Sequence, residues 1–169
     1  MKKSVILLLS CMMMLGTFAF AEGYFSAEDM EKGTITAETK CEDGFVLHAN
    51  EEKYMNIAKK PMHKAKNGDE FNMALQLQGA GKPDYRCVSF PAKAGETITV
   101  WGNSTSKTEM RQLVVVGPDG KIIKELPMDV DAEAGTIASE SSVKAPADGT
   151  YILYSKKSGI NIYKISVSK

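Results

Sequence analysis

The residues able to do chemistry in this chain are few and scattered. His48 and His63 are its only two histidines, and a general base needs a nucleophile within reach and a group to orient it. His48 falls on the polar side of "FVLHAN" with Val46 and Asn50, and His63 lies in "KKPMHKAK", read as a Lys-rich loop. Both are expected to be solvated surface residues. No nucleophile elbow, HExxH pair or phosphate-cradling glycine loop is present, so catalysis is not expected. "DVDAE" sets Asp129, Asp131 and Glu133 at alternate positions, a donor set suited to a hard cation such as calcium. It lacks the glycine and terminal glutamate of an EF-hand loop, and a polar loop is the plainer reading. "NST" at Asn103 matches a glycosylation acceptor.

Binding chemistry is better represented. In "TITVWG" the inward residues are Ile98 and Val100, which turns Thr97, Thr99 and Trp101 outward. An outward indole, the only one in the chain, suits stacking on a pyranose ring. It equally suits a satellite cluster under a neighbouring loop. The outward row of "FNMALQLQ", Asn72, Gln76 and Gln78, carries amides that could meet sugar hydroxyls. Arg86 shares a face with Val88 and Phe90, and Arg111 opens "RQLVVV" in phase with Leu113 and Val115. An arginine on such a face must sit at the sheet rim or be paired. Two arginines opening adjacent strands could clamp carboxylates, and those of the protein itself are the more frequent partners. Trp101, Arg86, Arg111, Tyr85, Gln76 and Asn103 form the candidate ligand-binding set.

The elements that must hold these residues begin after a leader. Lys2 and Lys3 precede an apolar run, Val5 to Phe20, ending in the small-x-small signal Ala19-Phe20-Ala21. Residues 1–21 therefore read as a signal peptide cleaved after Ala21. The competing reading makes Cys11 of "LLSC" a lipidated residue, but the apolar run continues past it. The protein is expected to be exported, to the periplasm, the cell surface or beyond, and no later segment is apolar enough to span a bilayer. What remains is 148 residues with 19 Lys+Arg against 21 Asp+Glu. Interspersed charges near balance do not point to a nucleic-acid partner. Two of three cysteines survive cleavage, Cys41 and Cys87, and an even count in an oxidising compartment favours a disulfide worth about 4 kcal/mol. The alternative is two unpaired thiols buried as small apolar residues.

"SAEDMEKG" reads as a short helix, with Ser26 as cap, Asp29 at the capping-box position and Gly33 as stop. After it comes strand upon strand of four to eight residues, separated by turn signals such as "NGD", "GAGKPD", "GPDG" and "PADG". In "FNMALQLQ" the core face is Phe71, Met73, Leu75 and Leu77. Eight or nine such strands without a long helical period specify an all-β antiparallel sandwich or jelly roll. It should occupy residues 44–169, behind an N-terminal arm at 22–43.

Three stretches, "FVLHANEEKYMNI", "NGDEFNMALQLQGAGKPDYRCVSFPAKAGETITVWGNSTSKTEMRQLVVVGPDGKII" and "GTYILYSKKSGINIYKISV", in this order resemble the β-sandwich domain that accompanies secreted bacterial pectate lyases. The matching positions are Gly79 and Gly81, Arg86, Ser89 and Phe90, Thr99 to Ser104, Arg111, and Gly159 to Val167, within a span from Phe45 to Val167. The resemblance implies a non-catalytic, carbohydrate-associated module contacting pectin or related acidic glycans. Cys87 stands where the family usually has a small residue, and no lyase segment stands within these 169 residues. The expected export gives the first prediction. Intact mass of the protein recovered from an expressing bacterium should correspond to a chain beginning at Glu22, and a diacylglyceryl-modified Cys11 as first residue would contradict it.

Overall fold

The computed structural model describes residues 22–131 and 137–169; the proposed leader, Cys11 and Glu133 lie outside them. Strand-forming residues alternate along thirteen strands in two antiparallel sheets. The seven-stranded sheet runs β11 (Ser139–Lys144), β8 (Thr97–Ser104), β13 (Ile160–Ser168), β6 (Glu70–Leu77), β5 (Met55–Lys64), β2 (Gly33–Ile35). β1 (Gly23–Ser26) pairs the far half of β13. The six-stranded sheet runs β10 (Ile122–Met128), β9 (Arg111–Val116), β12 (Gly149–Ser155), β7 (Cys87–Ala92), β4 (Val46–His48), β3 (Thr39–Lys40). The sandwich class is as the sequence specifies; the strands beyond its eight or nine are the short β1, β2 and β3 and the ten-residue β5.

The inward residues of both sheets fuse into one core. Ile98 and Val100 of β8 meet Val88 and Phe90 of β7, Leu113 and Val115 of β9, and Leu153 of β12. Phe90 stacks on Phe45 at 5.0 Å and on Tyr151 at 6.4 Å. Tyr151 is buried because its hydroxyl finds partners: it donates to the Ala147 carbonyl (2.5 Å) and accepts from the Ala147 amide (3.2 Å).

Several local expectations are corrected. The N-terminal helix is only a single 3-10 turn, Ala27–Asp29, with Ser26 Oγ accepting from the Glu28 amide (3.3 Å). Residues 22–43 contribute to the sandwich: Phe25 and Ala27 belong to the core, and β2 and β3 each pair a neighbour. "KKPMHK" is no loop but the far half of β5. There β2 stops pairing at Ile57, leaving an edge guarded by Lys59, Lys60 and Pro61. The core face of β6 also breaks. Glu28 Oε1 accepts from the consecutive amides of Asn72 and Met73. Beyond this point Phe71 faces away from the main core, while Leu75 and Leu77 stay in it.

The disulfide is corrected as well: Cys41 and Cys87 are free thiols. Register explains why. Cys41 donates its amide to Phe45, whereas Cys87 sits opposite His48, three residues farther along β4. Cys87 faces outward and donates its thiol to the Pro83 carbonyl at 3.3 Å, tying the loop before β7. Burial, with Asp84 nearby, pushes its pKa up to about 12; burial also raises that of Cys41. A thiol so reluctant to ionise is a poor nucleophile. In native protein at pH 8, iodoacetamide should therefore leave Cys87 unmodified while 6 M guanidinium exposes two alkylatable thiols without added reductant. Two thiols that become alkylatable only after reduction would overturn the free-thiol assignment.

Candidate functional site

Trp101 faces outward by strand phase but is only 9% exposed. Its register neighbours fold over it: Glu140 of β11 accepts from the indole Nε1 at 3.1 Å, and the Lys164 ammonium of β13 lies 5.4 Å from its ring centre. Around it the outer face of the seven-stranded sheet carries a second apolar cluster with Ala65, Phe71, Ala74, Ala138 and Tyr163. Tyr163 stacks on Phe71 (5.3 Å) and leans on His63 (4.9 Å). The indole is a structural residue, and the satellite-cluster alternative is the one realised. Burial and the nearby Asp131 raise the pKa of Tyr163 above the ordinary phenol value.

His63 is not a surface histidine but 0% exposed. Its Nδ1 lies 2.7 Å from the Pro61 carbonyl and its Nε2 lies 2.9 Å from Asp131 Oδ1. The sequence offered no sign of this, because the Lys-rich segment read as a loop. Asp131 also accepts from Asn161 Nδ2 (3.4 Å), and Asp129 is 3.3 Å from Ser139 Oγ. Both carboxylates thus serve the fold, and among the described residues no group of three or more His, Cys, Asp or Glu could hold a metal ion. Asn103 is fully buried, with Nδ2 donating to the carbonyls of Asp129 and Val130. Its sequon is therefore closed to glycosylation in the folded chain.

Gln76 and Asn103 are nevertheless brought together. Registers align Asn56 of β5, Gln76 of β6, Asn161 of β13 and Asn103 of β8 on a single rung across four strands. Gln76 Nε2 donates to Asn161 Oδ1 at 3.2 Å, and Gln78 Nε2 reaches Gln76 Oε1 at 3.5 Å. The Asn103 end of the rung is buried; at the other, Asn56 and Gln76 are half-buried and Gln78 is exposed. Strand alternation places Tyr54, 38% exposed, on the face of Asn56 at this open end.

Arg86 and Tyr85 lie beside it. Arg86 does not continue β7 inward; its φ of 47° is left-handed, and its Nε donates to the Tyr54 carbonyl at 3.2 Å. The loop that presents it is tight. Lys82 and Tyr85 exchange backbone bonds around Pro83-Asp84, and the Gly81 amide donates to Ser155. A Cβ on Gly81 would come within 2.4 Å of the Arg86 carbonyl and 2.9 Å of Tyr154 Cβ, so only glycine fits. Lys53 Nζ stands 5.9 Å from the Tyr85 ring centre. Neither Arg86 nor Lys53 has a carboxylate partner among the described residues.

Arg111 is separate. β12 lies between β7 and β9, so the two arginines do not open adjacent strands and form no clamp. Arg111 Nη1 donates to Thr105 Oγ1 (2.5 Å) and the Gly159 carbonyl (2.6 Å), with Glu109 Oε2 4.0 Å from Nε. It ties together the connections that end β8 and start β13. Of the candidate set, Tyr85, Arg86 and Gln76 lie near one another at the open end of the rung, beside Tyr54, Lys53 and Asn56, which the sequence reading did not single out. An aromatic just ahead of an alternating run was the signal available for Tyr54.

No family model matches this chain, and no curated protein sequence matches it. Solved structures do. The CBM36-1 domain of a multidomain xylanase from the hindgut metagenome of Trinervitermes trinervoides aligns at 14% identity and a TM-score of 0.47. The alignment covers 88% of this chain and 98% of that one. CsCBM6-3 from Clostridium stercorarium, in complex with cellobiose, aligns at 11% identity and a TM-score of 0.42, covering 87% and 93%. The catalytic unit of a GH87 alpha-1,3-glucanase from Streptomyces thermodiastaticus aligns at 12% and 0.48, covering 88% of this chain but 26% of that one. At such scores these likenesses bear no weight for ligand or activity, and the sandwich class rests on the two sheets themselves.

The burial of Trp101 predicts its spectroscopy. Emission should be blue-shifted and resistant to acrylamide in the free protein, and Trp101→Ala should cost about 3 kcal/mol or more in denaturant melts. Emission near that of free tryptophan with ready quenching would contradict the packing.

Proposed function

We propose that this protein is an exported, non-catalytic β-sandwich module that binds carbohydrate, with a pectin-like or other acidic glycan as ligand. One observation carries the reading: at the loop end of the sandwich two tyrosines, Tyr54 and Tyr85, stand beside two cations, Arg86 and Lys53, that have no carboxylate partner among the described residues. An aromatic ring desolvates the apolar face of a sugar. A guanidinium offers a fork of donors to a uronate carboxylate. The amide row Asn56, Gln76 and Gln78 lies on the same outer face, at spacing suited to hydroxyls. The resemblance to the pectate-lyase-associated domain points the same way. Export agrees with the leader-like first 21 residues. Among the described residues no helix is long and apolar enough to cross a membrane.

A second reading, a periplasmic or surface protein that binds another protein, has one observation in its favour. The outer face of the six-stranded sheet aligns half-buried Val46 and Ile152 with buried Val116 and exposed Ile122 on one rung.

Calorimetric titration with oligogalacturonate, at low and high salt, tests the first reading. Binding should weaken with salt, because the contact is charge-assisted. Tyr85→Ala should weaken it by about tenfold, roughly 1.4 kcal/mol, with an unchanged melting temperature. Arg86→Ala should lower both affinity and melting temperature, since it also removes the bond to the Tyr54 carbonyl. Absence of binding to oligogalacturonate, or binding indifferent to Tyr54→Ala and Tyr85→Ala, would refute the assignment.

A further inference from the structure

The end of the sandwich opposite Tyr54 and Tyr85 carries a cleft of about 640 Å³ that the glycan reading does not use. It opens between the turn joining β7 to β8, the turn before β12, and the paired ends of β1 and β13. Its floor is apolar, made by Phe45, Pro91, Ala92 and Val167, the last reaching in from the core. A concave, largely apolar space of this size with a few convergent polar groups is the ordinary form of a small-ligand site.

Three of the four charged residues at its rim are acidic. Asp43, Glu96 and Asp148 line the cleft against a single cation, Lys93. Each carboxylate is aimed by a backbone amide: Asp43 accepts from Tyr24 (3.1 Å), Glu96 from Lys93 (2.7 Å) and Asp148 from Ala94 (2.8 Å). The mouth stays open because glycines border it. A Cβ on Gly23 would meet Asp43 Cβ (3.3 Å) and Phe45 (3.9 Å), both of which line the cleft.

From the apolar floor and the acidic rim we infer that this cleft binds an amphiphilic cation, a ligand with a compact apolar body and an ammonium or guanidinium head. The floor takes the body out of water. The rim supplies carboxylates whose orientation is already fixed, so little ordering is lost on binding. An anionic head would meet the same rim as repulsion.

A matched series tests this without any variant: n-hexylammonium, hexanol and hexanoate share one apolar chain and differ only in charge. Amide shifts of the isolated protein, followed by NMR at low salt, should map to Gly23, Gly44, Ala92, Gly149 and Val167. Hexylammonium should bind roughly fivefold or more tightly than hexanoate, a preference that salt reduces. Glu96→Gln with Asp148→Asn, which keeps an acceptor oxygen for each backbone amide, should bring the two probes within about twofold. Gly23→Leu, which fills the mouth, should abolish the shifts for all three. Equal affinity for the three heads, shifts elsewhere on the surface, or no shifts at all would overturn the proposal. The probes contain no sugar and report on the end opposite Tyr85, so this site and the glycan surface can fail independently.

Discussion

The fold depends on a single extra residue in β13. This strand is bonded to β8 along its length, and to β6 and then β1 on its other side. Ile160 and Ile162 bury in the core, yet so do Ile165 and Val167, which strict alternation would turn outward. A bulge between Ile162 and Lys164 absorbs the mismatch and sets Tyr163 on the outer face. Gly102 opposes it on β8. A Cβ there would come within 2.5 Å of the Asn161 carbonyl, so the strand facing the bulge needs a residue without one.

That re-phasing makes the seven-stranded sheet two-sided. Tyr163 becomes the anchor of an outer cluster with Phe71, which is itself re-phased where Glu28 takes two successive amides of β6. His63, Asp131 and Asn161 then form a buried polar network at its margin, each bonded to the next through Asp131. Buried polar groups are tolerated when satisfied, and this network holds the chain after β10 against the sheet. The cost is access: the indole that might have stacked on a ligand is spent on packing.

With the outer face packed, the two ends of the sandwich hold the proposed sites, and the ends differ in character. The loop end has tyrosines with Arg86 and Lys53, whereas the opposite end has an apolar floor with Asp43, Glu96 and Asp148 at the rim. A chain nearly neutral overall thus gathers unlike sets of charged residues at its two ends. Net charge conveys nothing of this, since each set is made by residues that only the turns bring together.

Fold class was legible from the residues alone. Alternation in "TITVW", "RQLVVV" and "TYILYS" is a local property, and the two-residue period of a strand converts it directly into an inner and an outer face. Arg86 was read as opening a strand in phase with Val88 and Phe90; its left-handed φ of 47° sets it instead in the loop before β7. The status of Trp101, His63 and the two cysteines was not legible either. Whether an outward indole is covered depends on Glu140 and Lys164, 39 and 63 residues away in sequence. Whether two sulfurs meet depends on a register three residues out of step along β4. Alternation determines which side of a strand a residue takes; only pairing and bulges, which are long-range, decide what waits on that side.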